Sequence, residues 1–224
     1  MRAFALFEVI SFLISAAAFV FGAVRLFRDG IPMYFRLYGM AAGCYALEEL
    51  WAVTNTVFGT EGGYVSVRLF GTFGFFCFIL SANAGEFDSL IDERKAEHRR
   101  ARRAALLAPA VLVLLYGVSV ALLYDSKGVF YLLLELLVLL PTFPAAYYCL
   151  KHLLLPTDPM GMLKTTGGID IVSLLLFAVN SVYTLDVLGR VSWLMYAYDV
   201  LMALIAAALT VCSVKGAEKW KTLL

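Results

Sequence analysis

The sequence predicts an all-α integral membrane protein with seven transmembrane helices, its N-terminus outside and its C-terminus in the cytoplasm. Of the 224 residues, 62% are hydrophobic and 16% are charged, and the mean hydropathy is +0.85. This balance suits lipid as the surrounding solvent better than water. Apolar stretches of about 20 residues, the length that crosses a bilayer, recur along the chain. Lysines and arginines are concentrated in alternate connections between these stretches.

The seven predicted helices occupy residues 4–27, 37–58, 65–90, 104–124, 129–150, 168–188 and 193–214. The connections between them are short, and most contain the Gly, Pro and Asp residues that end helices. The chain 1–224 is therefore predicted to be one transmembrane domain without a soluble domain. A cleavable signal peptide ending near residues 16–18 is an alternative reading of the start. Against that alternative, the apolar run continues to Arg25 and contains Glu8.

The orientation follows from the positive charges, because short cytoplasmic loops retain lysine and arginine. With seven spans, only Arg2, Arg68, Lys127 and Arg190 of the 18 basic residues fall outside. The third connection is the most basic, and we expect its arginines to fix the topology and to attract anionic lipid headgroups. These arginines include Arg99, Arg100, Arg102 and Arg103. The bilayer is the expected partner, in the plasma (inner) membrane, and no nucleic acid binding is indicated.

Two features predict how the helices pack. Gly39 and Gly43 form a GxxxG in helix 2, where small residues let another backbone approach. This contact serves packing within the chain or a homodimer. Pro141 and Pro144 should kink helix 5, and Pro109 should perturb the start of helix 4.

Ionisable groups within the membrane are costly, so each one is a functional hypothesis. No lysine lies inside a predicted span, so the sequence predicts no cationic partner for these acids at mid-membrane. Polar residues three, four or seven positions apart form stripes on helices 1, 2, 6 and 7. The predicted ligand- or cation-binding residues are Glu8, Tyr45, Glu48, Glu49, Asn55, Glu135, Asn180, Tyr196 and Asp199.

If those stripes converge, they line a polar cavity that is acidic in its outer half. Glu48 and Glu49 point about 100° apart on a helix, so we expect one of them, Glu48, to face the cavity. Buried carboxyl groups without partners can carry protons or bind cations. Alternatively, protonated acids can simply join helices through hydrogen bonds. Glu86, Asp88 and Asp170 lie at predicted cytoplasmic ends, where we expect solvent or arginine partners.

Missing residues exclude several kinds of chemistry. His98 and His152 are the two histidines, and both are predicted in or beside cytoplasmic loops. Bis-histidine haem in the membrane is therefore excluded, and no metal site is predicted. The seven-helix plan is similar in size and orientation to microbial rhodopsins, but the retinal lysine of that family is missing: one turn after Asp199 stands Ala203. No catalytic motif is present, so an enzyme is not expected.

Two functions fit these features. The first is a transporter or channel for a cation or a proton-coupled small solute, in which the acids exchange protons for the cation. The second is a sensory or anchoring module that binds a small ligand and acts through a separate cytoplasmic partner. The layout of this second reading resembles the seven-helix input regions of some bacterial signalling kinases.

Overall fold

The computed structural model describes residues 2–59, 67–85, 88–89, 98–127, 129–155, 161–184 and 192–223. These residues are almost entirely helical, and no strand occurs among them. The helices are α1 Arg2–Leu26, α2 Met33–Phe58, α3 Val67–Ala84, α4 Arg99–Ala105, α5 Leu107–Lys127, α6 Val129–Leu139, α7 Thr142–Leu154, α8 Met162–Thr184 and α9 Ser192–Leu223.

Helices α1 to α9 agree with the predicted order, with two predicted helices divided. Helix 5 breaks at Pro141, as predicted, between α6 and α7. The break lies where proline, which lacks a backbone N–H, interrupts the helical hydrogen bonds. There the Thr142 hydroxyl donates a 2.6 Å hydrogen bond to the Leu139 carbonyl. The start of helix 4 is interrupted at Leu106, so that Pro109 lies in the first turn of α5, where proline is tolerated.

The C-terminal helix is longer than predicted. α9 continues past Val214 to Leu223, and the Trp220 ring meets the Phe35 ring of α2 at 6.0 Å in an edge contact. Ala217 is also buried. The segment that was predicted to be a cytoplasmic tail is therefore helical and packed, because it carries apolar residues on the face toward α2.

The directions of the helices follow from the contacts between them. Gly22 of α1 faces Thr210 of α9, and Arg25 pairs with Glu218 at 3.8 Å, so α1 and α9 are parallel. Helix α2 is antiparallel to α1 and α3, and α8 is antiparallel to α7 and α9. One end of the bundle therefore gathers the ends of α1, α3, α7 and α9 and the starts of α2, α4 and α8. We call it the basic end, because the arginines of α4 lie there.

Several helices have the length and composition of membrane spans. Five described stretches qualify: Leu6–Leu26, Arg99–Ala121, Leu132–Leu154, Leu163–Ser181 and Ala197–Thr222. Leu69–Ala84 is apolar but shorter. Many large apolar side chains on the outside of the bundle are exposed, including Leu47, Leu114 and Leu175. An apolar exterior of this kind is suited to lipid, so the chain has the architecture of a helical membrane protein.

Helix α2 is not one of these five stretches, and polar side chains occupy its buried face. At 26 residues it is about 39 Å long at the usual rise per residue, which exceeds the roughly 30 Å hydrocarbon core. It packs against α1, α3 and α9. Glu48 and Glu49 lower its apolarity and are nevertheless buried. α2 is thus a central helix that brings polar groups into the bundle.

Candidate functional site

One face of α2 carries the polar groups around which the candidate site is built. Tyr34, Tyr38, Tyr45 and Glu49 are all buried and lie three to seven residues apart. That spacing places them on the same side of a helix. The face extends from the start of α2 at the basic end to the middle of the bundle.

The first polar group on this face is an acidic cluster, consisting of Tyr45, Glu48 and Glu49 of α2, Asn180 of α8 and Tyr198 of α9. The Tyr45 hydroxyl forms a hydrogen bond with the Glu49 carboxylate and also lies close to Tyr198. Tyr198 in turn donates a 3.1 Å hydrogen bond to the Asn180 side-chain oxygen. The cluster therefore connects three helices through hydroxyl, amide and carboxyl groups.

That Glu48 rather than Glu49 faces a cavity stays a prediction, because burial does not distinguish the two acids. Glu49 is 1% exposed and Glu48 is 6% exposed, so both side chains are buried. Glu49 turns toward Tyr45, whereas Glu48 lies against α3 at Gly71. A Cβ atom added at Gly71 would lie 2.8 Å from the Glu48 Cβ. Two adjacent acids can both be buried because α2 has neighbours on several sides.

The other predicted ligand residues are distributed along the bundle. Glu8 is buried together with Ser11 and Ser15, which confirms that the polar stripe of α1 faces inward. Asn55 and Asp199 are half-buried. Glu135 lies near Tyr116 of α5, away from α2. The side chain of Tyr196 lies outside the described residues. A ligand-binding role for these residues stays a prediction.

The second polar group is an ionic cluster near the basic end, consisting of Asp88, Lys151, His152 and Asp170. Lys151 Nζ forms an ion pair with Asp88 Oδ1. The same oxygen accepts a 3.1 Å contact from His152 Nε2. On the other side of the ring, His152 Nδ1 lies 3.7 Å from Asp170 Oδ1. One imidazole therefore stands between two carboxylates, one located just beyond α3 and one on α8.

The two carboxylates differ in their access to solvent. The Asp88 side chain is 20% exposed, whereas that of Asp170 is 1% exposed. The thiol of Cys149 lies close to Asp170 and also to the hydroxyl of Ser173. Neither Asp170 oxygen accepts a hydrogen bond from an N–H or O–H group of the described residues. A buried carboxylate with few donors is costly to keep charged, so Asp170 depends on His152 or on a proton.

Asp88 lies outside the candidate spans, and its surroundings favour the charged form. Burial by itself raises the pKa of Asp88, but hydrogen bonds from His152 and Lys151, together with their positive charges, outweigh it. The pKa of Asp88 is therefore held below its ordinary value. Asp88 remains an anion that fixes Lys151 and His152 at this end of the bundle.

The placement of Asp88, Asp170 and His152 differs from the prediction. Asp170 and His152 are buried inside the bundle, whereas we expected solvent, arginine partners or loop positions. Among the described residues, Asp88 pairs with Lys151 and His152. The available signal was in the sequence around Asp170, which stands between Ile169 and Ile171 in an apolar run. Sequence reasoning missed it because the predicted start of helix 6 lay only two residues away.

Tyr38 and Asn83 line the ionic cluster on the side of α2. Asn83 is fully buried on α3 and donates a 2.7 Å hydrogen bond to the Tyr38 hydroxyl. The Tyr34 and Tyr38 rings meet at 5.4 Å in an edge arrangement. Both tyrosines lie near Asp170. The ionic cluster thus continues into the polar face of α2.

An aromatic layer separates the two clusters. Phe75 and Phe76 of α3 and Phe177 of α8 are almost completely buried. Phe75 contacts the Tyr45 ring at 5.3 Å, and Phe76 contacts Phe177 at 6.0 Å. Ile79 and Leu176 are also buried here. This layer lies between the levels of Tyr45 and Tyr38, where residues 39–44 of α2 are Gly, Met, Ala, Ala, Gly and Cys.

The glycines and arginines singled out in the sequence have separate places. A Cβ atom at Gly39 or Gly43 would lie 2.9 Å from the rings of Phe27 and Phe19 respectively. The GxxxG therefore packs α1 on α2 within the chain, and a homodimer through it stays a prediction. On α4, Ala101 and Ala105 are buried. Arg99, Arg100 and Arg103 are exposed, and Arg102 is half-buried.

Among the described residues, no group of three or more His, Cys, Asp or Glu side chains is arranged to hold a metal ion. In the ionic cluster, Lys151 pairs with Asp88, so a metal ion would have to displace Lys151 from that carboxylate. Comparison with known proteins gave no match: no protein-family model matches the chain, and neither a curated protein nor a solved structure matches it.

Proposed function

We propose that this chain is a small multi-pass transporter or channel for a cation or a proton-coupled small solute. The observation that carries the proposal is the pair of buried clusters with carboxyl groups on either side of an aromatic layer. Acids within an apolar bundle are costly, and groups of them mark ion and proton pathways. Hydrogen bonding between helices could by itself explain a single buried acid. It explains less well a set of polar groups to which four helices contribute.

The proposal includes seven transmembrane spans, with the N-terminus outside, in the plasma (inner) membrane. Support comes from the directions of the helices and from the length of α2. A charged basic end also fits a cytoplasmic face, because α4 presents exposed arginines there. These arginines would contact anionic headgroups, since they extend from a short helix whose alanines face the bundle.

The chemistry follows from the acidic cluster. A carboxyl group shielded from water tends to hold a proton, and it can release that proton when a cation approaches. Glu49 is the residue best placed to do so, because it is buried and oriented by Tyr45. The Phe75, Phe76 and Phe177 layer would prevent free diffusion, so passage requires movement of α3 or α8. Such a closed state is expected of a transporter or a gated channel.

Flux through reconstituted protein tests this function. Purified chain in proteoliposomes is given gradients of Na⁺, K⁺ and H⁺ in turn, and ion movement is followed with fluorescent indicators. We expect wild-type protein to move at least one of these ions and Glu49→Gln to reduce the rate at least tenfold. The matched control is Glu218→Gln, which removes an exposed carboxylate of α9 and should leave the rate unchanged.

Absence of flux from wild-type protein under every gradient would count against transport and favour the sensory or anchoring reading. Equal flux from wild type and Glu49→Gln would keep transport but remove the acidic cluster from the pathway. Thermal unfolding of each variant, measured in the same detergent, separates loss of function from loss of fold.

A further inference from the structure

We propose that His152 and Asp170 form the proton-loading site of this protein, and that His152 relays protons to Asp170 from the side of Asp88. This inference rests on the proposed transport function and identifies where protons enter. It concerns the ionic cluster, which sequence reasoning assigned to solvent. The observations that carry it are the position of one imidazole between two carboxylates and the difference in burial of those carboxylates.

The relay depends on the two nitrogens of the ring facing different partners. Nε2 contacts Asp88 Oδ1 at 3.1 Å, and Nδ1 faces Asp170 Oδ1 at 3.7 Å. The first distance is a hydrogen bond and the second is slightly longer than one. A small movement of α7 toward α8 would bring Nδ1 within hydrogen-bond distance of Asp170. Imidazole suits this position because it can gain and lose protons near neutral pH.

The proton transfer balances without a further reactant. The imidazolium form of His152 has N–H groups on both nitrogens and stands between anionic Asp88 and anionic Asp170. Transfer of the Nδ1 proton to Asp170 Oδ1 breaks the N–H bond and forms an O–H bond. The products are a neutral imidazole, still protonated on Nε2 beside Asp88, and a neutral Asp170 acid. The imidazolium is restored when the ring returns to its Nδ1–H tautomer and one proton from water then binds Nε2 on the side of Asp88.

The neighbouring charges support this direction of transfer. Asp88 is more exposed than Asp170 and is paired with Lys151, so it holds the imidazolium at the solvent side of the cluster. Asp170 lies deeper, beside Cys149. The described titratable and charged groups near the ring are Asp88 beyond α3, Tyr148, Cys149 and Lys151 on α7, and Asp170 on α8 with Tyr34 and Tyr38 of α2 beyond it. Helix α4, which packs against α7, carries Arg102, and His98 stands just before it.

The test is a proton titration of His152 that needs no transport assay. The chain contains two histidines, so ¹⁵N-histidine labelling of the full chain in nanodiscs gives two sets of ring signals, and His98→Gln assigns them. We expect half-protonation of His152 to require at least a tenfold higher proton concentration in Asp170→Asn than in wild type. The control Glu218→Gln should leave the titration unchanged. An Asp170→Asn titration equal to that of wild type would overturn the proposal.

A second measurement protects the test against a variant that does not fold. Infrared difference spectra of the wild-type protein between high and low pH should contain a protonated-carboxyl band that shifts in Asp170→Glu. A band that is unchanged by Asp170→Glu would also overturn the proposal. Failure here together with normal ion flux would reject the loading site but keep the transport function. A coupled His152–Asp170 titration without any flux would reject the transport function but keep the coupling of His152 to Asp170.

Discussion

The acidic cluster and the ionic cluster lie on opposite sides of the same aromatic layer, and they handle burial of charge differently. In the ionic cluster, Lys151 and His152 stand against Asp88 and Asp170, so opposite charges compensate each other at short distances. In the acidic cluster, Glu49 is oriented by a tyrosine hydroxyl, and Glu48 lies against a glycine of α3. The two clusters also differ in position: the ionic cluster is close to the basic end, and the acidic cluster lies at the middle of the bundle.

The contrast teaches that the two clusters depend on different forces. Removing one member of a buried ion pair leaves a charge without compensation, which is severe. Disturbing a cluster of hydroxyl and carboxyl groups mainly affects hydrogen bonds and close packing, which cost less. Four substitutions test this contrast, in order of decreasing effect.

Asp88→Asn should have the largest effect, because it leaves the buried Lys151 cation without its anion. We expect the free energy of unfolding in detergent to fall by about 3–5 kcal/mol. Glu218→Gln breaks an exposed pair with Arg25 and should change it by less than about 1 kcal/mol. The double variant Asp88→Asn/Lys151→Met should recover part of the loss. Equal stability of Asp88→Asn and wild type would show that the ionic cluster does not depend on charge compensation.

Gly71→Ala tests the packing of the acidic cluster against α3. The added methyl group would lie 2.8 Å from the Glu48 Cβ and 3.0 Å from the Cys44 carbonyl oxygen. We expect a loss of about 1–3 kcal/mol from overpacking, measured by thermal unfolding. Gly117→Ala is the matched control, because a methyl group there meets no atom within 4 Å. It should stabilise α5 by about 0.5–1 kcal/mol. A harmless Gly71→Ala would mean that α2 and α3 separate easily at Glu48.

Tyr38→Phe and Tyr198→Phe compare single hydrogen bonds on the two sides of the aromatic layer. Tyr38→Phe removes the acceptor for Asn83, which is fully buried, and should cost about 1–2 kcal/mol. Tyr198→Phe removes the bond to the half-buried Asn180, where water can replace part of it, so we expect about 0.5–1 kcal/mol. Thermal unfolding of both variants in one detergent gives the comparison. A larger loss from Tyr198→Phe would reverse this ranking of the clusters.

The fold was predictable from the sequence to the extent that local patterns govern it. Helical content, the position of most helices and the break at Pro141 follow from apolar run lengths and from the missing proline N–H. The inward stripe of Glu8, Ser11 and Ser15 follows from helical periodicity. The candidate site was only partly predictable. Tyr45, Glu48 and Glu49 were identified, but the ionic cluster was not.

The sequence by itself determined the solvent and the class of this protein, because hydropathy and helix periodicity are properties of neighbouring residues along one chain. Only the tertiary structure decided which charges meet. Asp88, His152 and Asp170 belong to three separate segments. Asp88 is 64 residues from His152 and Asp170 is 18 residues from it, and no periodicity joins them. Their contact arises from the packing of α7 against α3 and α8, since an ion pair within an apolar bundle depends on the approach of two backbones.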